Sequence, residues 1–329
     1  MSALPPAFHA AHDAFGRTAA LAFTASFPFL GVPLHVRSNA EAAVTLATQT
    51  FGPWASLASR LVRRDGHAHL DVIVHGDDTS PPSRLDYRSH GDVFMSAGQG
   101  LLSTVRLDTQ HAVAFVSPSA LGAPDWFTAH VNGLGILAAT QRDRLPLHAA
   151  CIVRDGRAWV LIGASGIGKS TLTYACHDAG VEVLAEDTVF VSLAGEPRLW
   201  GHAACAWLAP DAVRFFPSLA GRPVVTRHNG KRRIAASLEV AGRQPRLAHE
   251  GTVTVVLLTR GADGPAATPV GHRDVVSALA AVDEGFDQYP EGRGAVVGWL
   301  STQPAYRLAI GDDPARAVAT ILALPGTTS

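Results

Sequence analysis

Hydrophobic and polar residues alternate along much of the first 140 residues, as expected for β-strands. Four short segments rich in β-branched residues are predicted strands: GVPLHVRS, LDVIVHG, LLSTVRLD and HAVAFVSP. RLDYRSHGDVFMSAG predicts further strands joined by a short turn. Helical spacing instead marks NAEAAVTLATQTFGPW, with Asn39 as the predicted N-cap and a Gly-Pro stop, and DWFTAHVNGLGILAATQRD, with Asp125 as the predicted N-cap. This pattern predicts a smaller N-terminal α+β domain over residues 1–140, for substrate recognition or assembly.

From Leu145 onward, strands and helices alternate around a glycine-rich loop. LHAACIVRDG and RAWVLIG predict a strand pair with a turn at Asp155–Gly156, and KSTLTYACHDAG predicts a helix ending at Gly180. Four more elements are predicted: one long strand in VEVLAEDTVFVSL, a short helix in APDAVRFFPSL, a buried strand in GTVTVVLLTRG and a closing helix in DPARAVATILAL. We therefore predict an α/β domain with some antiparallel sheet over residues 141–329.

Composition and charge point to an ordinary globular protein. Hydrophobic residues make up 47% of the 329 residues, charged residues make up 17%, and the formal net charge is -1. This balance gives no reason to expect nucleic acid or an anionic membrane as a partner. The N-terminal sequence lacks a secretory pattern, and LAFTASFPFLGVPLHV is too short and too interrupted by proline to span a membrane. We expect a cytoplasmic protein.

The cysteines and lysines are few and unevenly informative. Cys151, Cys176 and Cys205 are widely spaced, which favours buried, reduced thiols over a disulfide framework or a zinc site. Of the 27 lysine and arginine residues, only Lys169 and Lys231 are lysines. Because lysine is a compact point charge and arginine a planar fork, a lysine kept in so arginine-rich a chain is a candidate functional residue.

A glycine-rich loop surrounds the first of these lysines. Gly163, Gly168, Lys169 and Ser170 satisfy the pattern G-x-x-x-x-G-K-[ST], with a predicted strand before it and a predicted helix after it. Glycines let backbone N–H groups fold around an anion, and the helix start adds positive dipole. The predicted phosphate-binding residues are Gly163, Ala164, Ser165, Gly166, Ile167, Gly168, Lys169, Ser170 and Thr171. Lys169 is predicted to reach the β- and γ-phosphates, and the Ser170 hydroxyl to bind Mg²⁺.

An acidic pair interrupts the apolar strand predicted after the loop. A carboxylate in such a strand is costly unless it is solvated, paired or near a metal. Since strand side chains alternate, Glu186 and Asp187 are predicted to point in opposite directions, so that only one faces the loop unless a bulge intervenes. Asp187 lies 18 residues after Lys169, a spacing that suits proton abstraction from a hydroxyl attacking the γ-phosphate. Glu186 is then a supporting partner or a solvent-facing strand residue.

The segment LHAACIVRDGRAWVLIGASGIGKSTLTYACHDAGVEVLAED resembles the HPr kinase/phosphorylase superfamily, and more closely its smaller HPr-kinase-like relatives. The resemblance implies a P-loop domain of the phosphoenolpyruvate-carboxykinase-like type with a mixed sheet, using ATP and Mg²⁺. It implies that Asp187 is the general base toward a serine or threonine hydroxyl, and that Ser170 and Asp187 hold the metal. His148, 21 residues before Lys169, would be a catalytic or orienting group beside the phosphates.

Beyond this segment the chain departs from the bifunctional members of the superfamily. Their glycine-rich stretch after the acidic strand is missing, so the resemblance does not imply the reverse phosphorylase reaction or HPr as the substrate. The layout LWG…LAPDAVRFFPSL…GKRR…PAYRLAIGDDP is similar to HPr-kinase-like proteins found beside peptide natural-product gene sets. This similarity implies a protein or precursor peptide with an acceptor serine as the partner, and family analogy implies a homo-oligomer.

Several residues keep two interpretations at this stage. Lys231, with Arg232 and Arg233, either neutralises the transferred phosphoryl group or clamps an anionic substrate, or is a solvated loop charge. Asp211 is a second metal ligand or the first turn of a helix. Trp200 and Trp207 line a pocket or, as we predict, pack in the core.

The function also keeps more than one interpretation. The leading hypothesis is an ATP-dependent, Mg²⁺-requiring kinase that phosphorylates a serine of a protein or peptide. The alternatives are a small-molecule hydroxyl kinase with the same loop and base, and a regulatory protein that binds ATP without phosphate transfer. Loss of activity in Asp187→Asn would separate the kinases from the non-catalytic protein.

Overall fold

The computed structural model describes residues 20–63, 66–76, 79–81, 85–140, 143–227, 230–261, 264–282 and 290–325. The chain divides into two compact units, residues 1–141 and 142–329. Residues 1–19, for which the sequence predicts no secretory signal, lie outside the described residues. So does Asn229, which precedes Gly230 and Lys231.

The first unit contains a seven-stranded mixed sheet. Its strands are β1 (Phe23–Phe29), β2 (Val32–Ser38), β3 (Ala68–Val74), β4 (Asp86–His90), β5 (Val93–Gly98), β6 (Leu101–Arg106) and β7 (His111–Val116). They lie in the order β1-β2-β3-β7-β6-β5-β4, and β3 runs parallel to both β2 and β7. The helices are α1 (Glu41–Phe51), α2 (Pro124–Phe127) and α3 (Gly133–Thr140); a π-helical turn, Thr128–Asn132, joins the last two, and 3₁₀ turns span Gly52–Ser56, Ser59–Leu61 and Pro118–Gly122.

One face of this sheet packs against its helices. Leu34 and Leu70 are fully buried there, and α3 approaches so closely that a Cβ on Gly135 would stand 3.2 Å from Cδ2 of Leu70. The predicted strands of this unit are confirmed, as are the helices that follow β2 and β7. In addition, the apolar stretch before β2 forms β1, which pairs with β2 as a hairpin.

Both predicted helix caps in this unit are wrong. Ala40 is the N-cap residue of α1, and the Asn39 side chain instead bonds the backbone N–H and carbonyl of Val74, at 2.8 and 2.9 Å. Asp125 lies in the first turn of α2, after the N-cap residue Ala123. In the first case a pairing across the sheet replaces the capping bond that local preference favours.

The other face of the sheet carries a row of ionisable side chains. His35, His69 and His111 occupy paired positions on β2, β3 and β7. Beside them, Asp71 is buried and accepts two hydrogen bonds from Arg37, at 2.7 and 2.6 Å, and one from His111 at 2.9 Å. Burial raises the pKa of Asp71, but the hydrogen bonds from His111 and Arg37 outweigh it, and the net pKa is lowered.

The second unit is built on three sheets. Its strands are β8 (Leu145–Leu147), β9 (Ala150–Arg154), β10 (Arg157–Ile162), β11 (Glu182–Ala185), β12 (Val189–Ser192), β13 (Arg198–Trp200), β14 (Cys205–Leu208), β15 (Val224–Thr226), β16 (Arg232–Ser237), β17 (Ala248–His249), β18 (Thr252–Thr259), β19 (Ala266–Pro269) and β20 (Ala305–Ala309). The sheet orders are β11-β9-β10-β18-β20-β19, β17-β13-β12-β8 and β14-β16-β15. The helices are α4 (Lys169–Asp178), α5 (His272–Ala280), α6 (Pro290–Ser301) and α7 (Pro314–Leu322), and 3₁₀ turns span Pro210–Arg214 and Pro217–Leu219.

The six-stranded sheet is buried on both faces. Leu161 and Val256 pack with α4, α7 and the three-stranded sheet, whereas Val160 and Val255 pack with α5, α6 and the four-stranded sheet. Strands β10, β18 and β20 run parallel and the outer strands antiparallel. The architecture is therefore mixed α/β, and the continuous apolar runs of β10 and β18 follow from burial on both sides.

Local turn chemistry correctly predicted two features of this unit. The β9–β10 hairpin turns at Asp155–Gly156, where both residues have positive φ, 50° and 75°. Helix α4 ends before Gly180, whose φ is 77°; the Gly180 N–H donates to the His177 carbonyl, and the Val181 N–H donates to that of Cys176.

The single long strand predicted after α4 is wrong. Strand β11 ends at Ala185 and belongs to the six-stranded sheet, whereas β12 begins at Val189 and belongs to the four-stranded sheet. A register shift between Val183 and Ala185 precedes the break. Residues 186–188 form a bend that transfers the chain from one sheet to the other. The short helix predicted downstream is a pair of 3₁₀ turns instead.

The three cysteines are free thiols. Cys151 and Cys176 are buried, as predicted, and burial raises the pKa of Cys176 to about 12. Cys205 is only half-buried, on β14 of the three-stranded sheet. The first two therefore behave as small core residues.

Candidate active site

The glycine loop (residues 163–168) joins β10 to α4 in a tight conformation. Gly166 and Gly168 have φ of 80° and 119°, in the region that favours glycine. A Cβ on Gly163 would stand 3.2 Å from Cβ of Leu258, and a Cβ on Gly168 would stand 3.0 Å from Cδ1 of Ile310. The loop thus requires glycine both for its backbone angles and for its packing against the ends of β18 and β20.

Lys169 and Ser170 begin α4 directly after this loop. The Lys169 side chain curls over the loop, and Nζ donates to the Gly163 carbonyl at 2.6 Å. Lys169 is only 6% exposed, and burial lowers its pKa against the opposing effect of Asp187 and Glu186. Ser170 follows Lys169 on α4, and its side chain acts to lower the pKa of Glu186. An ammonium and a hydroxyl are therefore held together at the N-terminus of a helix.

The bend after β11 brings both acidic residues to the loop. Glu186 and Asp187 line the same cleft, which the sequence allowed only for an irregular strand; β11 has a register shift and ends before them. Burial raises the pKa of Glu186 to about 7, although Ser170, Lys169 and Arg233 act in the opposite direction. Its Oε1 is buried and has no hydrogen-bond partner among the described residues. The Asp187 side chain is 64% exposed, so the two neighbouring carboxyl groups occupy different environments.

His148 lies opposite the acidic bend. It follows β8, and because β8 pairs with β12, the histidine is brought to the bend from which β12 starts. His148 Nδ1 stands 3.4 Å from Asp187 Oδ1. Burial lowers the pKa of His148; Asp187 opposes this effect, and Lys169 and Lys231 add to it. A neutral imidazole is therefore favoured near pH 7.

Basic side chains from the three-stranded sheet and its neighbouring turns form another side of the cleft. This cationic wall consists of Arg214, Arg227, Lys231 and Arg233. The Arg227 guanidinium stacks 3.7 Å from the ring centroid of Trp207, which lines the cleft, so the prediction of a core position for Trp207 is wrong. Trp200, by contrast, is fully buried, as predicted.

These groups surround one open cleft of about 470 Å³. Residues 165–171 of the predicted phosphate-binding set line it, together with His148, Glu186, Asp187, Asp211 and Lys231. Gly163 and Ala164, the first two residues of the loop, do not line the cleft, and their carbonyls accept from Lys169. The structure thus brings the predicted catalytic residues, with Asp211, to one place, around a loop suited to an anion.

Comparison with known proteins adds little to this geometry. No protein-family model and no curated protein matches the sequence. Among solved structures, the HPr(Ser) kinase/phosphatase from Coxiella burnetii is similar at 12% identity over 54% of this chain and 94% of that chain, with a TM-score of 0.29. That is a weak and distant similarity in fold. No helix of the described chain is long and apolar enough to cross a membrane.

Sequence reasoning missed several cleft residues. Arg214 and Arg227 of the cationic wall were not singled out, nor was Arg260, which donates to the Gly166 carbonyl at 3.2 Å. Single arginines carry no signal in a chain with so many of them. Asp312 was missed because it lies in a turn before the closing helix, where acidic residues are common.

The oxygen donors at the start of α4 and at the bend suit a hard cation. Among the described residues, no group of three or more His, Cys, Asp or Glu side chains could hold a metal ion by itself. Mg²⁺, however, usually takes one or two protein oxygens and completes its shell with water and substrate phosphates. Ser170 with Asp187, the predicted pair, fits that pattern. Glu186, with its unpartnered buried Oε1, is a further donor that the sequence analysis did not name as a ligand.

Proposed function

We propose that this protein is an ATP-dependent kinase that transfers the γ-phosphate to a serine hydroxyl of a protein or peptide. The observation that supports it best is the meeting of three features in one cleft. These are a glycine loop before a helix, a buried lysine over that loop, and two carboxyl groups with a histidine beside them. An anion site and a proton acceptor side by side are what phosphoryl transfer to an alcohol requires.

In this proposal the glycine loop and the start of α4 bind the phosphates of ATP. The backbone N–H groups and the helix dipole attract the anion, and the positive φ of Gly166 and Gly168 lets the backbone approach it closely. Lys169 exchanges its bonds to the Gly163 and Ala164 carbonyls for bonds to phosphate oxygens. Because the Lys169 ammonium moves only a short distance in this exchange, it stays next to the β- and γ-phosphates.

Ser170, Glu186 and Asp187 would hold Mg²⁺. When bound, the ion neutralises negative charge on the phosphates. A cation beside Glu186 also favours its ionised form, which burial otherwise disfavours. In return, the buried Oε1 of Glu186 gains the partner that it lacks within the described chain.

Asp187 then accepts the proton of the acceptor hydroxyl. As the hydroxyl oxygen forms a bond to the γ-phosphorus, the bond from that phosphorus to the bridging oxygen breaks, and ADP leaves with the electron pair. The exposure of Asp187 lets an external hydroxyl reach it, and the neutral His148 orients the carboxylate. Lys231 and its cationic neighbours stabilise the negative charge that is transferred.

Label transfer tests this proposal. Purified protein is incubated with Mg²⁺ and ATP labelled at the γ-phosphate, together with serine-containing peptides and, separately, free serine and other small alcohols. ATP labelled at the α-phosphate is the control, and it should label none of them. Label on peptide serines would support the proposal. Label on small alcohols alone would favour the small-molecule kinase, and binding of a fluorescent ATP analogue without any transfer would favour the non-catalytic protein.

A further inference from the structure

The three-stranded sheet of the second unit ends in an exposed edge. The sheet order is β14-β16-β15, and β15 pairs only with β16 in the described chain. All three β15 residues are exposed; Val224 and Val225, at 39% and 38% exposure, are among the chain's exposed large hydrophobic residues. An edge strand of this kind is a template on which another extended chain can pair.

The backbone of β15 presents hydrogen-bonding groups along that edge. The Arg227 N–H donates to the Lys231 carbonyl at 3.0 Å, so the ladder between β15 and β16 starts with a hydrogen-bonded pair. Hydrogen-bonded and non-hydrogen-bonded pairs alternate in an antiparallel ladder. Val225 therefore directs its backbone groups toward β16, whereas Val224 and Thr226 direct theirs outward.

The β15–β16 hairpin is strongly cationic. Residues 222–233 read RPVVTRHNGKRR, which contains five lysines and arginines and no acidic residue. Arg222, the first residue of this stretch, and Arg232, the last but one, are exposed and lie outside the cleft lining. Charge complementarity therefore favours an acidic segment as the occupant of this edge.

The turn end of the hairpin and the acidic bend line the same cleft. Arg227 and Lys231, at the turn end of the two strands, both line the cleft. His148, Asp187 and Lys231 line this same cleft. A chain paired with β15 would thus run toward Asp187, which His148 contacts.

We propose that the phosphate acceptor is an acidic peptide segment that pairs with β15 as an added strand and delivers its serine to Asp187. Backbone bonds to Val224 and Thr226 hold the segment, and its Asp and Glu side chains lie against the arginines and lysine of the hairpin. This inference rests on the proposed kinase function, for which it names the class of acceptor.

Binding of defined peptides tests it. Fluorescence anisotropy compares a twelve-residue peptide that has one serine among glutamates with the same peptide carrying glutamine in place of glutamate. A third peptide keeps all glutamates but is N-methylated at alternate residues, which removes strand pairing and leaves the charge unchanged. We expect the acidic peptide to bind at least about tenfold more tightly than either of the others.

Protein variants complete the design. The double variant Arg222→Glu with Arg232→Glu should weaken binding of the acidic peptide at least about tenfold while binding of a fluorescent ATP analogue changes less than about twofold. Arg273→Glu is the matched control, since Arg273 is exposed on α5 away from the cleft, and it should change neither value. Thr226→Pro, which removes one outward N–H, should act like N-methylation of the peptide.

The outcomes separate this inference from the kinase proposal. Acidic peptide that binds in the expected way but receives no phosphate would support the docking edge and overturn the kinase. Phosphate transfer that is equal for glutamate and glutamine peptides, and unchanged in the double variant, would overturn the docking edge and leave the kinase standing. Tighter binding of a single-stranded oligonucleotide than of the acidic peptide would also overturn it.

Discussion

An aspartate lies beside a histidine in each of the two units, but the two carboxylates are held very differently. In the first unit, the Asp71 side chain is 2% exposed and accepts three hydrogen bonds from Arg37 and His111. In the second, the Asp187 side chain is 64% exposed, and His148 stands 3.4 Å away. The first carboxylate is saturated by its partners, whereas the second keeps room for a reactant.

The titration behaviour of the two clusters differs in the same sense. Partners outweigh burial at Asp71 and lower its pKa, so that the ionised form is built into the fold. Burial outweighs the partners at Glu186, beside Asp187, and raises its pKa to about 7. The comparison teaches that the same residue types form a cluster with complete hydrogen bonding in one unit and a cluster with an open carboxylate in the other. Only the second arrangement leaves the carboxylate accessible, as the proposed catalysis requires.

The largest expected effect is on catalysis at the exposed aspartate. Asp187→Asn should lower turnover about 10²- to 10⁴-fold, because an amide cannot accept the proton of the attacking hydroxyl. Its free energy of unfolding should change by less than about 0.5 kcal/mol, as is usual for exposed positions. Label transfer and urea unfolding measure the two quantities. Asp178→Asn, at the exposed end of α4, is the matched control and should leave both unchanged.

For the buried aspartate we expect the opposite result, a large effect on stability and a small effect on turnover. Asp71→Asn should lower the free energy of unfolding by about 2–4 kcal/mol, because it leaves Arg37 and His111 without the charge that they share. Turnover per folded molecule should stay within about twofold of wild type, well below the unfolding temperature. A large stability loss in Asp187→Asn, or a negligible one in Asp71→Asn, would contradict the distinction between the two clusters.

A smaller effect is expected in the pH dependence of stability at the bend. The pKa of Glu186 in the folded protein, about 7, lies above its ordinary value of 4.5. The stability that the protonated form contributes is therefore complete below about pH 4.5 and lost as pH rises through 7. Glu186→Gln, which cannot ionise, should gain about 1–3 kcal/mol relative to wild type between pH 5 and pH 8.

Chemical unfolding of both proteins at pH 5 and pH 8 measures this difference. Subtracting the change in one protein from that in the other removes the contribution of the histidines that both contain. Mg²⁺ with a non-hydrolysable ATP analogue should reduce the difference, because the cation favours ionised Glu186. If the free energy of unfolding changed by the same amount in wild type and in Glu186→Gln between the two pH values, the raised pKa of Glu186 would be contradicted.

Local rules were enough for part of the fold and the site. The β9–β10 hairpin follows from Asp155–Gly156, and the end of α4 follows from Gly180, because each residue type is suited to positive φ. The glycine loop likewise needs glycine for the positive φ of Gly166 and Gly168. Lysine scarcity also pointed to Lys231, which lies in the cleft.

The remainder depended on contacts that are distant in sequence. Asn39 loses its predicted cap because its amide pairs with Val74, 35 residues away. The acidic strand breaks because its first half pairs with β9 and its second half with β8 and β13, and the apolar pattern runs through Glu186 and Asp187 without a sign of it. Tertiary pairing, not local preference, thus placed both carboxyl groups in one cleft.

The bend that carries the acidic pair also bears on how such a site can diversify. Residues 186–188 belong to neither of the two ladders that they connect, so their side chains can be exchanged without breaking a strand pair. The glycine loop, by contrast, tolerates little change, since its glycines are fixed by backbone angle and by packing. A lineage, or a protein engineer, can therefore vary the side chains at this corner of the cleft while the glycine loop, the proposed phosphate-binding side, is kept.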